Sequence, residues 1–116
     1  MTIRELADKI GANVVTPNVD LTREVSSGYT CDLLSHVMSR GVADMAWITV
    51  QTHMNVIAVA TLLDFACIVI PEGISVDEAI VEKAAEEGVC MLSTPMTAYE
   101  VVALLAQNGI AAARKE

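Results

Sequence analysis

Three short apolar runs, separated by amphipathic stretches, dominate the sequence from residue 45 onward. They read MAWITV (45–50), ACIVI (66–70) and VCMLS (89–93), without the polar and apolar alternation of a half-exposed strand. Unbroken runs of this length are typical of strands buried on both faces of a parallel sheet. Because the runs begin 21 and 23 residues apart, with helical patterns between them, the sequence predicts repeated βα units with right-handed crossovers.

The pattern S/T-x-x-E, in which a hydroxyl and a glutamate each cap a backbone N–H group, predicts the start of three helices. A glycine able to adopt the left-handed conformation follows each helix and predicts its end. The predicted spans are about 3–10, 76–87 and 98–108. The capping pairs are Thr2 with Glu5, Ser75 with Glu78, and Thr97 with Glu100, and the glycines are Gly11, Gly88 and Gly109.

Two further helices are predicted at 31–40 and 55–63. The first ends at Gly41, and its buried side is expected to carry Leu33, Leu34, Val37 and Met38. The second, NVIAVATLL, is apolar on almost every side. Such a helix must be covered all round, either inside the domain or by a second protein chain.

Three remaining segments give weaker patterns. NVVTP (13–17) predicts an additional strand, TREVSSGY (22–29) a strand or an extended loop, and IAAA (110–113) a short final strand or a frayed helix end. No linker or low-complexity segment interrupts the chain. The predicted fold class is therefore α/β, a single domain over residues 1–116 with a largely parallel central sheet flanked by helices.

The charge of the chain narrows the range of partners. The net charge is −8, from 15 acidic and 7 basic residues, which disfavours nucleic acid and anionic membrane surfaces as partners. No apolar run is long enough to span a bilayer, and MTIRELADKIG has charges where a signal peptide is apolar, so we expect a cytoplasmic protein. Hydrophobic residues make up 53 % of the chain. A second copy of the chain could cover part of this apolar surface, although burial in the core of a single domain is the simpler explanation.

The three cysteines, Cys31, Cys67 and Cys90, form no C-x-x-C pair. Cys67 and Cys90 fall within apolar runs, which predicts reduced thiols in the core. With two histidines and no ligand spacing, the sequence predicts neither a metal site nor another cofactor.

Polar residues that follow the predicted strands mark one edge of the sheet as the candidate site. In a parallel sheet the carboxyl ends of the strands and the N-termini of the next helices meet there, and ligands bind at that edge. We expect contacts with a small polar ligand from Gln51, Thr52, His53 and Asn55 after the first βα strand, and from Ser93 and Thr94 after the third. A turn with a flexible glycine adds Ser27 and Gly28.

The stretch QTHMN (51–55) also supports other interpretations. Thr52 or His53 could cap the following helix, with Gln51 closing the turn. An enzymatic interpretation is weaker, because the chain has no nucleophile elbow, zinc-protease motif or phosphate-binding loop. It would rely on His53 as an acid or base, alone or paired with Cys31 as the nucleophile.

Three segments together carry a resemblance to a known family. They are REVSSGYTCDLLS (23–35), WITVQTHMNVIAVATLLDFACIVIPEG (47–73) and EKAAEEGVCMLSTPMTAYEVVALL (82–105). Over about residues 3–107 the chain resembles a DRTGG domain. The resemblance implies an α/β fold similar to the N-terminal domain of HPr kinase/phosphorylase and a regulatory, dimer-forming role, as between the paired CBS domains of some inorganic pyrophosphatases. A serine kinase label, which small relatives often carry, is not expected to apply, because the chain lacks the P-loop.

The chain departs from the family pattern after the strand at 45–50. The resemblance implies a turn of the Gly-Asp-Arg type after this strand, as in many DRTGG domains, whereas this chain has Gln51-Thr52-His53 there. We therefore expect a non-catalytic regulatory homodimer that binds a small polar ligand, with nucleotides among the candidates, or a partner protein. The alternatives are an interaction subunit without a ligand, which would use the 55–63 helix, and a small enzyme using His53.

Overall fold

A six-stranded sheet forms the centre of the computed structural model, which describes residues 1–115. Its strands are β1 (Asn13–Val14), β2 (Ser27–Thr30), β3 (Met45–Ile48), β4 (Cys67–Ile70), β5 (Met91–Ser93) and β6 (Ala111–Ala112). Their order across the sheet is β1-β5-β4-β3-β2-β6. Every neighbouring pair is parallel except β1 with β5. The predicted α/β class with a largely parallel sheet is confirmed.

Helices cover both faces of the sheet. They are α1 (Ile3–Lys9), α2 (Leu34–Arg40), α3 (Met54–Leu63), α4 (Glu78–Glu87) and α5 (Ala98–Gln107). The chain moves strand by strand from β2 to β5 through α2, α3 and α4, which share one core cluster and therefore one face. It then returns through α5 to β6 at the far edge, over the face that also carries α1.

Alternate residues of each central strand enter the two cores. In β3, Met45 and Trp47 face α2, α3 and α4, whereas Ala46 and Ile48 face α1 and α5. All four residues are at most 2 % exposed. This double burial explains why the strands read as unbroken apolar runs in the sequence.

Two of the three predicted capping boxes are confirmed. Thr2 with Glu5 caps α1, and Thr97 with Glu100 caps α5. The prediction that Ser75 caps the middle helix is wrong, since α4 begins at Glu78 and Asp77 precedes it without a side-chain capping bond. Two consecutive left-handed residues, Glu72 and Gly73, begin a longer loop, so Ser75 is placed before the helix.

The start of α2 also differs from its prediction. The helix begins at Leu34, because Cys31 and Asp32 continue outward from β2 before the chain turns. Thr30 ends β2 and does not cap the helix. Of the predicted buried stripe, Val37 is fully buried and Leu34 half-buried, whereas Leu33 and Met38 are 55 % and 46 % exposed.

The two segments for which the sequence predicts alternative structures, 22–29 and 110–113, each contribute a strand. β2 begins at Ser27, so only the end of the 22–29 stretch is in the sheet. β6 pairs with β2, and the N–H of Ala113 donates to the carbonyl of Gly28 at 2.8 Å. The 13–17 prediction corresponds to the antiparallel edge strand β1, which ends earlier, at Val14.

Two of the three cysteines are buried as predicted. Cys67 and Cys90 are 1 % and 4 % exposed, and both are free thiols. Burial raises the pKa of both thiols, that of Cys90 to about 11. Neither thiol is therefore ionised at neutral pH, and both act as packing residues.

The capping box of α5 gives a pH-dependent contribution to stability. Hydrogen bonds from the backbone N–H and hydroxyl of Thr97 lower the pKa of Glu100. The stabilisation is therefore present above the unfolded-state pKa of roughly 4.3 and is lost as the pH falls through the lower folded-state pKa. Glu100→Gln is expected to make the fall in unfolding free energy between about pH 5 and pH 3 shallower, as measured by urea denaturation. An unchanged slope would contradict this role, and Thr97→Ala should reproduce only part of the change, because it removes the partner hydroxyl and keeps the backbone N–H.

Candidate functional site

The turn after β3 is shaped by Trp47 and by Cys31 and Asp32, the two residues that follow β2. Trp47 is fully buried, and its indole Nε1–H donates to the carbonyl of Cys31 at 2.9 Å. This bond fixes the path of the chain that leaves β2. Asp32, the next residue, is thereby held beside the end of β3.

Asp32 then organises the start of the turn. Its Oδ1 accepts hydrogen bonds from the Thr49 hydroxyl at 2.8 Å and from the Val50 N–H at 3.1 Å. The Gln51 amide donates to the Asp32 carbonyl at 3.3 Å, and the Gln51 N–H donates to the Thr49 hydroxyl at 3.1 Å. The polar residues after the apolar run therefore form a turn that hydrogen bonds to Asp32 and Thr49 hold in place, which we call the tied turn. Gln51 serves partly as a structural residue in this turn.

An open groove of about 460 Å³ lies beside this turn, between the starts of α3 and α4. We call it the strand-end groove. Its floor and sides combine polar and apolar groups, which suits a small ligand with hydrogen-bonding functions. The lining residues are Val50, Gln51, Thr52, His53, Met54, Asp77 and Ile80.

Neither of the two helices that begin at the groove has a side-chain cap. His53 and Asp77 occupy the N-cap positions of α3 and α4, but no side chain of residues 1–115 bonds to the exposed N–H groups of either helix. The alternative that Thr52 or His53 caps α3 through its side chain is therefore wrong. The N-termini of two helices without side-chain caps therefore lie beside one groove.

The corresponding place between β4 and β5 is closed. The chain leaves β4 toward one face of the sheet and leaves β5 toward the other face. Ligands of α/β folds often bind at the crevice between two such strands. Here Glu72 fills the position, since its carboxylate accepts the N–H of Ala98 at 3.1 Å at the start of α5. The Glu72 N–H also donates to the carbonyl of Met96 at 2.7 Å. The chain's own carboxylate thus occupies the anion-binding helix end.

The predicted site residues after β5 lie away from the groove. Thr94 is 1 % exposed, its hydroxyl donates to the Ile10 carbonyl at 2.6 Å and accepts the N–H of Met96 at 3.2 Å. It ties α1 to β5 and is not free to contact a ligand. Ser93 is half-buried at the end of β5, and Asn55 is exposed on the first turn of α3 without lining the groove.

Ser27 and Gly28 lie at the amino end of β2 rather than in a turn. Ser27 pairs with Met45, at the end of β3 opposite to Gln51, so the structure does not bring it to the groove. Its hydroxyl is buried and finds no hydrogen-bond partner among residues 1–115. Gly28 lines a separate apolar cavity of about 310 Å³ under α5.

The arrangement suits binding better than catalysis. His53 is exposed at the groove and makes no side-chain hydrogen bond within the described part of the chain, whereas the Cys31 thiol bonds to the Leu33 carbonyl at 3.8 Å. The two side chains do not form a bonded nucleophile and base pair. Residues 1–115 contain no cluster of three or more histidine, cysteine or acidic side chains that could hold a metal ion.

Two groove features could not be recognised from the sequence. The helix predicted over residues 31–40 places Asp32 in its first turn, whereas Asp32 instead shapes the turn after β3. Asp77 was expected inside a helix, but the later start of α4 places it at the groove. A correct start of α4 places Asp77 at the N-cap, whereas the contacts of Asp32 depend on the pairing of β2 with β3.

The family model for the DRTGG domain matches residues 5–108. The chain belongs to the DRTGG domain family. This match covers most of the 116 residues and confirms the resemblance carried by the three sequence segments. DRTGG domains are regulatory domains. A search among curated proteins found no relative that matches this DRTGG domain.

A solved structure shows the same fold. It is the crystal structure of the CBS and DRTGG domains of the regulatory region of Clostridium perfringens pyrophosphatase, complexed with an activator, diadenosine tetraphosphate. The TM-score is 0.69 at 11 % sequence identity, over 91 % of this chain and 46 % of that one. The chain thus spans less than half the length of this structural neighbour. No helix within residues 1–115 of the DRTGG domain described here could cross a membrane.

Proposed function

We propose that this DRTGG domain is a non-catalytic regulatory module that binds a small polar ligand in the strand-end groove. The observation that carries the proposal is the convergence of two helix N-termini without side-chain caps on one open groove. The helices α1 and α5, by contrast, are capped by their own side chains. A ligand at such helix starts has no side-chain cap to displace, which keeps the cost of reorganisation low.

The groove chemistry favours the nucleoside part of a nucleotide as the recognised group. Neither lysine nor arginine is among its lining residues, and Asp77 adds a negative charge, so the groove is poorly suited to phosphate. Gln51, Thr52 and His53 offer amide, hydroxyl and imidazole groups, and Asp77 can accept from ribose hydroxyls. Nucleotides are the first ligands to test because the structural neighbour was crystallised with a dinucleotide activator.

His53 gives the sharpest test, because the chain has two histidines and the other one, His36, is exposed on α2 away from the groove. We expect adenosine and diadenosine tetraphosphate to bind the wild-type protein and His36→Ala equally well in calorimetric titrations. His53→Ala is expected to weaken both ligands by about tenfold, the loss of one hydrogen bond at a binding site.

Two results would count against the groove as a nucleotide site. One is the absence of binding by either ligand to the wild-type protein at millimolar concentration. The other is equal affinity in His53→Ala and His36→Ala. The second candidate function is an interaction subunit without a ligand. It is favoured if neither adenosine nor diadenosine tetraphosphate binds and if His53→Ala still binds a partner protein.

We further propose that the domain forms a homodimer through the outer surface of α3. Val56, Ile57, Val59 and Ala60 of this apolar helix are buried, so its outward stripe consists of Met54, Ala58 and Leu62. Leu62 is 68 % exposed, and Leu33, just before neighbouring α2, and Met38 within α2 are exposed as well. Apolar surface of this kind is typical of contacts between protein chains. Since Met54 also lines the groove, ligand binding and dimerisation would be energetically linked.

Leu62→Glu is expected to convert the dimer to a monomer, because a carboxylate would be buried in an apolar contact without a partner. Light scattering coupled to gel filtration measures the mass directly. Tyr99→Glu is the matched control, since Tyr99 is 84 % exposed on α5, across the sheet from α3. A monomeric wild-type protein, or a dimer broken by Tyr99→Glu and not by Leu62→Glu, would contradict the proposed interface.

A further inference from the structure

A second cleft, separate from the strand-end groove, lies at the β6 edge of the sheet on the side of α2. Its volume is about 440 Å³. That is within the range of cavities that hold small molecules. The lining residues are Tyr29, Arg40, Ala112, Ala113, Arg114 and Lys115. We call it the basic cleft.

The charge in this cleft is the opposite of that of the whole chain. Three of the chain's seven lysines and arginines line it, although the net charge is −8. No aspartate or glutamate within residues 1–115 is among its lining residues. Within the same described part of the chain, acidic partners pair with other cations: Arg23 contacts Asp44 and Asp64, and Lys83 contacts Glu87.

Ordered backbone brings the three cations together. Arg40 is the last residue of α2, where the helix ends against Gly41. The β6 segment is fixed to β2 by strand pairing and by the bond from Ala113 to Gly28, and Arg114 and Lys115 follow directly. Tyr29 lies in β2 between these two elements. The cations therefore come from two elements distant in sequence that meet at one strand.

Tyr29 adds a neutral donor to the cleft. Burial raises the pKa of its phenol, and the nearby Cys31 thiol adds to this effect while Arg40 opposes it. The phenol therefore stays protonated at neutral pH and can donate a hydrogen bond to an anion. Guanidinium groups match the oxygen geometry of phosphate through paired N–H donors.

We propose that the basic cleft binds a small phosphorylated ligand through Arg40, Arg114 and Lys115, with Tyr29 as an additional donor. The size of the cleft favours a compact anion such as a diphosphate group over an extended acidic peptide. This site does not depend on the strand-end groove, whose lining contains none of these residues.

Inorganic pyrophosphate is the probe, titrated into the full chain by calorimetry and by amide chemical shifts at low ionic strength. We expect binding that weakens with added salt, with the largest shifts at residues 111–115 and 29. Arg40→Gln combined with Arg114→Gln is expected to lower the affinity by at least about tenfold. Both side chains are exposed, so thermal melts should show a folded protein.

Arg4→Gln combined with Lys9→Gln is the matched control, because it makes the same change in net charge on exposed positions of α1. The control should retain the wild-type affinity within about twofold. The proposal fails if pyrophosphate does not bind, if the control loses as much affinity as the cleft variant, or if the shifts lie at residues 50–54. His53→Ala should leave pyrophosphate binding unchanged, which separates this site from the proposed nucleoside groove.

Discussion

Replacing Trp47 by alanine is expected to lower the free energy of unfolding by about 3–5 kcal/mol. Trp47 is fully buried among the residues that pack under α2, α3 and α4. Its ring lies edge-on to Phe65 with ring centroids 5.8 Å apart. The substitution would leave a large cavity and would also remove the donor for the Cys31 carbonyl.

Trp47→Phe separates these two effects, because it keeps an aromatic ring and loses the N–H donor. Its expected cost is smaller, about 1–2 kcal/mol, from the unpaired carbonyl and part of the lost volume. Urea denaturation followed by circular dichroism is suitable, since both variants lose the chain's one tryptophan as a fluorescence probe. A cost for Trp47→Ala no larger than that of Val102→Ala, at a partly exposed position of α5, would contradict the role of Trp47.

Asp32→Ala is expected to cost about 1.5–3 kcal/mol and to weaken ligand binding in the strand-end groove. The substitution removes the acceptor of the Thr49 hydroxyl and of the Val50 N–H. Thr49 is 1 % exposed, so its hydroxyl cannot turn to water as a replacement partner. The turn that presents Thr52 and His53 would then lose its fixed geometry.

Asp32→Asn serves as the partial variant, because the amide oxygen can still accept one bond without the charge. We expect its unfolding free energy to fall between those of the wild-type protein and Asp32→Ala. Asp8→Ala, at an exposed position of α1, controls for the loss of one carboxylate. If Asp32→Ala and Asp8→Ala unfold at the same urea concentration, Asp32 does not organise the turn.

The order of elements was predictable from the sequence because burial on both faces leaves a direct pattern. The runs beginning at Met45, Ala66 and Val89 are apolar throughout, since each central strand contributes to two cores. The capping boxes at Thr2 and Thr97 were equally direct, because both partners of each hydrogen-bonded pair lie within one turn of helix. Local chemistry determines such features.

The site was less predictable because it depends on contacts between distant residues. Asp32 reaches Thr49 and Val50 only after β2 and β3 pair, and Glu72 reaches Ala98 only after β4 and β5 pair. The sequence therefore predicted a site at this edge of the sheet without showing that Glu72 closes one half of the edge. Thr94 illustrates the same limit, because its hydroxyl is used by the Ile10 carbonyl across 84 positions of sequence.

The stretch from Trp47 to Asn55 thus combines three roles along nine residues. Trp47 anchors the core, Thr49 to Gln51 form the tied turn, and Thr52 to Met54 line the groove. A rigid support beneath an open polar surface suits the proposed binding site, because less side-chain freedom would be lost when a ligand binds. The Gln51-Thr52-His53 turn lies within the lining of that groove.

Amide chemical shifts recorded during titration with adenosine test the proposed binding groove most directly. The largest shifts are expected at residues 51–55 and at the start of α4, 77–80, the two segments that border the strand-end groove. At an adenosine concentration below saturation, these shifts should be clearly smaller in His53→Ala and unchanged in His36→Ala. Saturating adenosine that shifts no amide, or shifts that cluster at 93–98 or 111–115, would contradict the assignment of the groove.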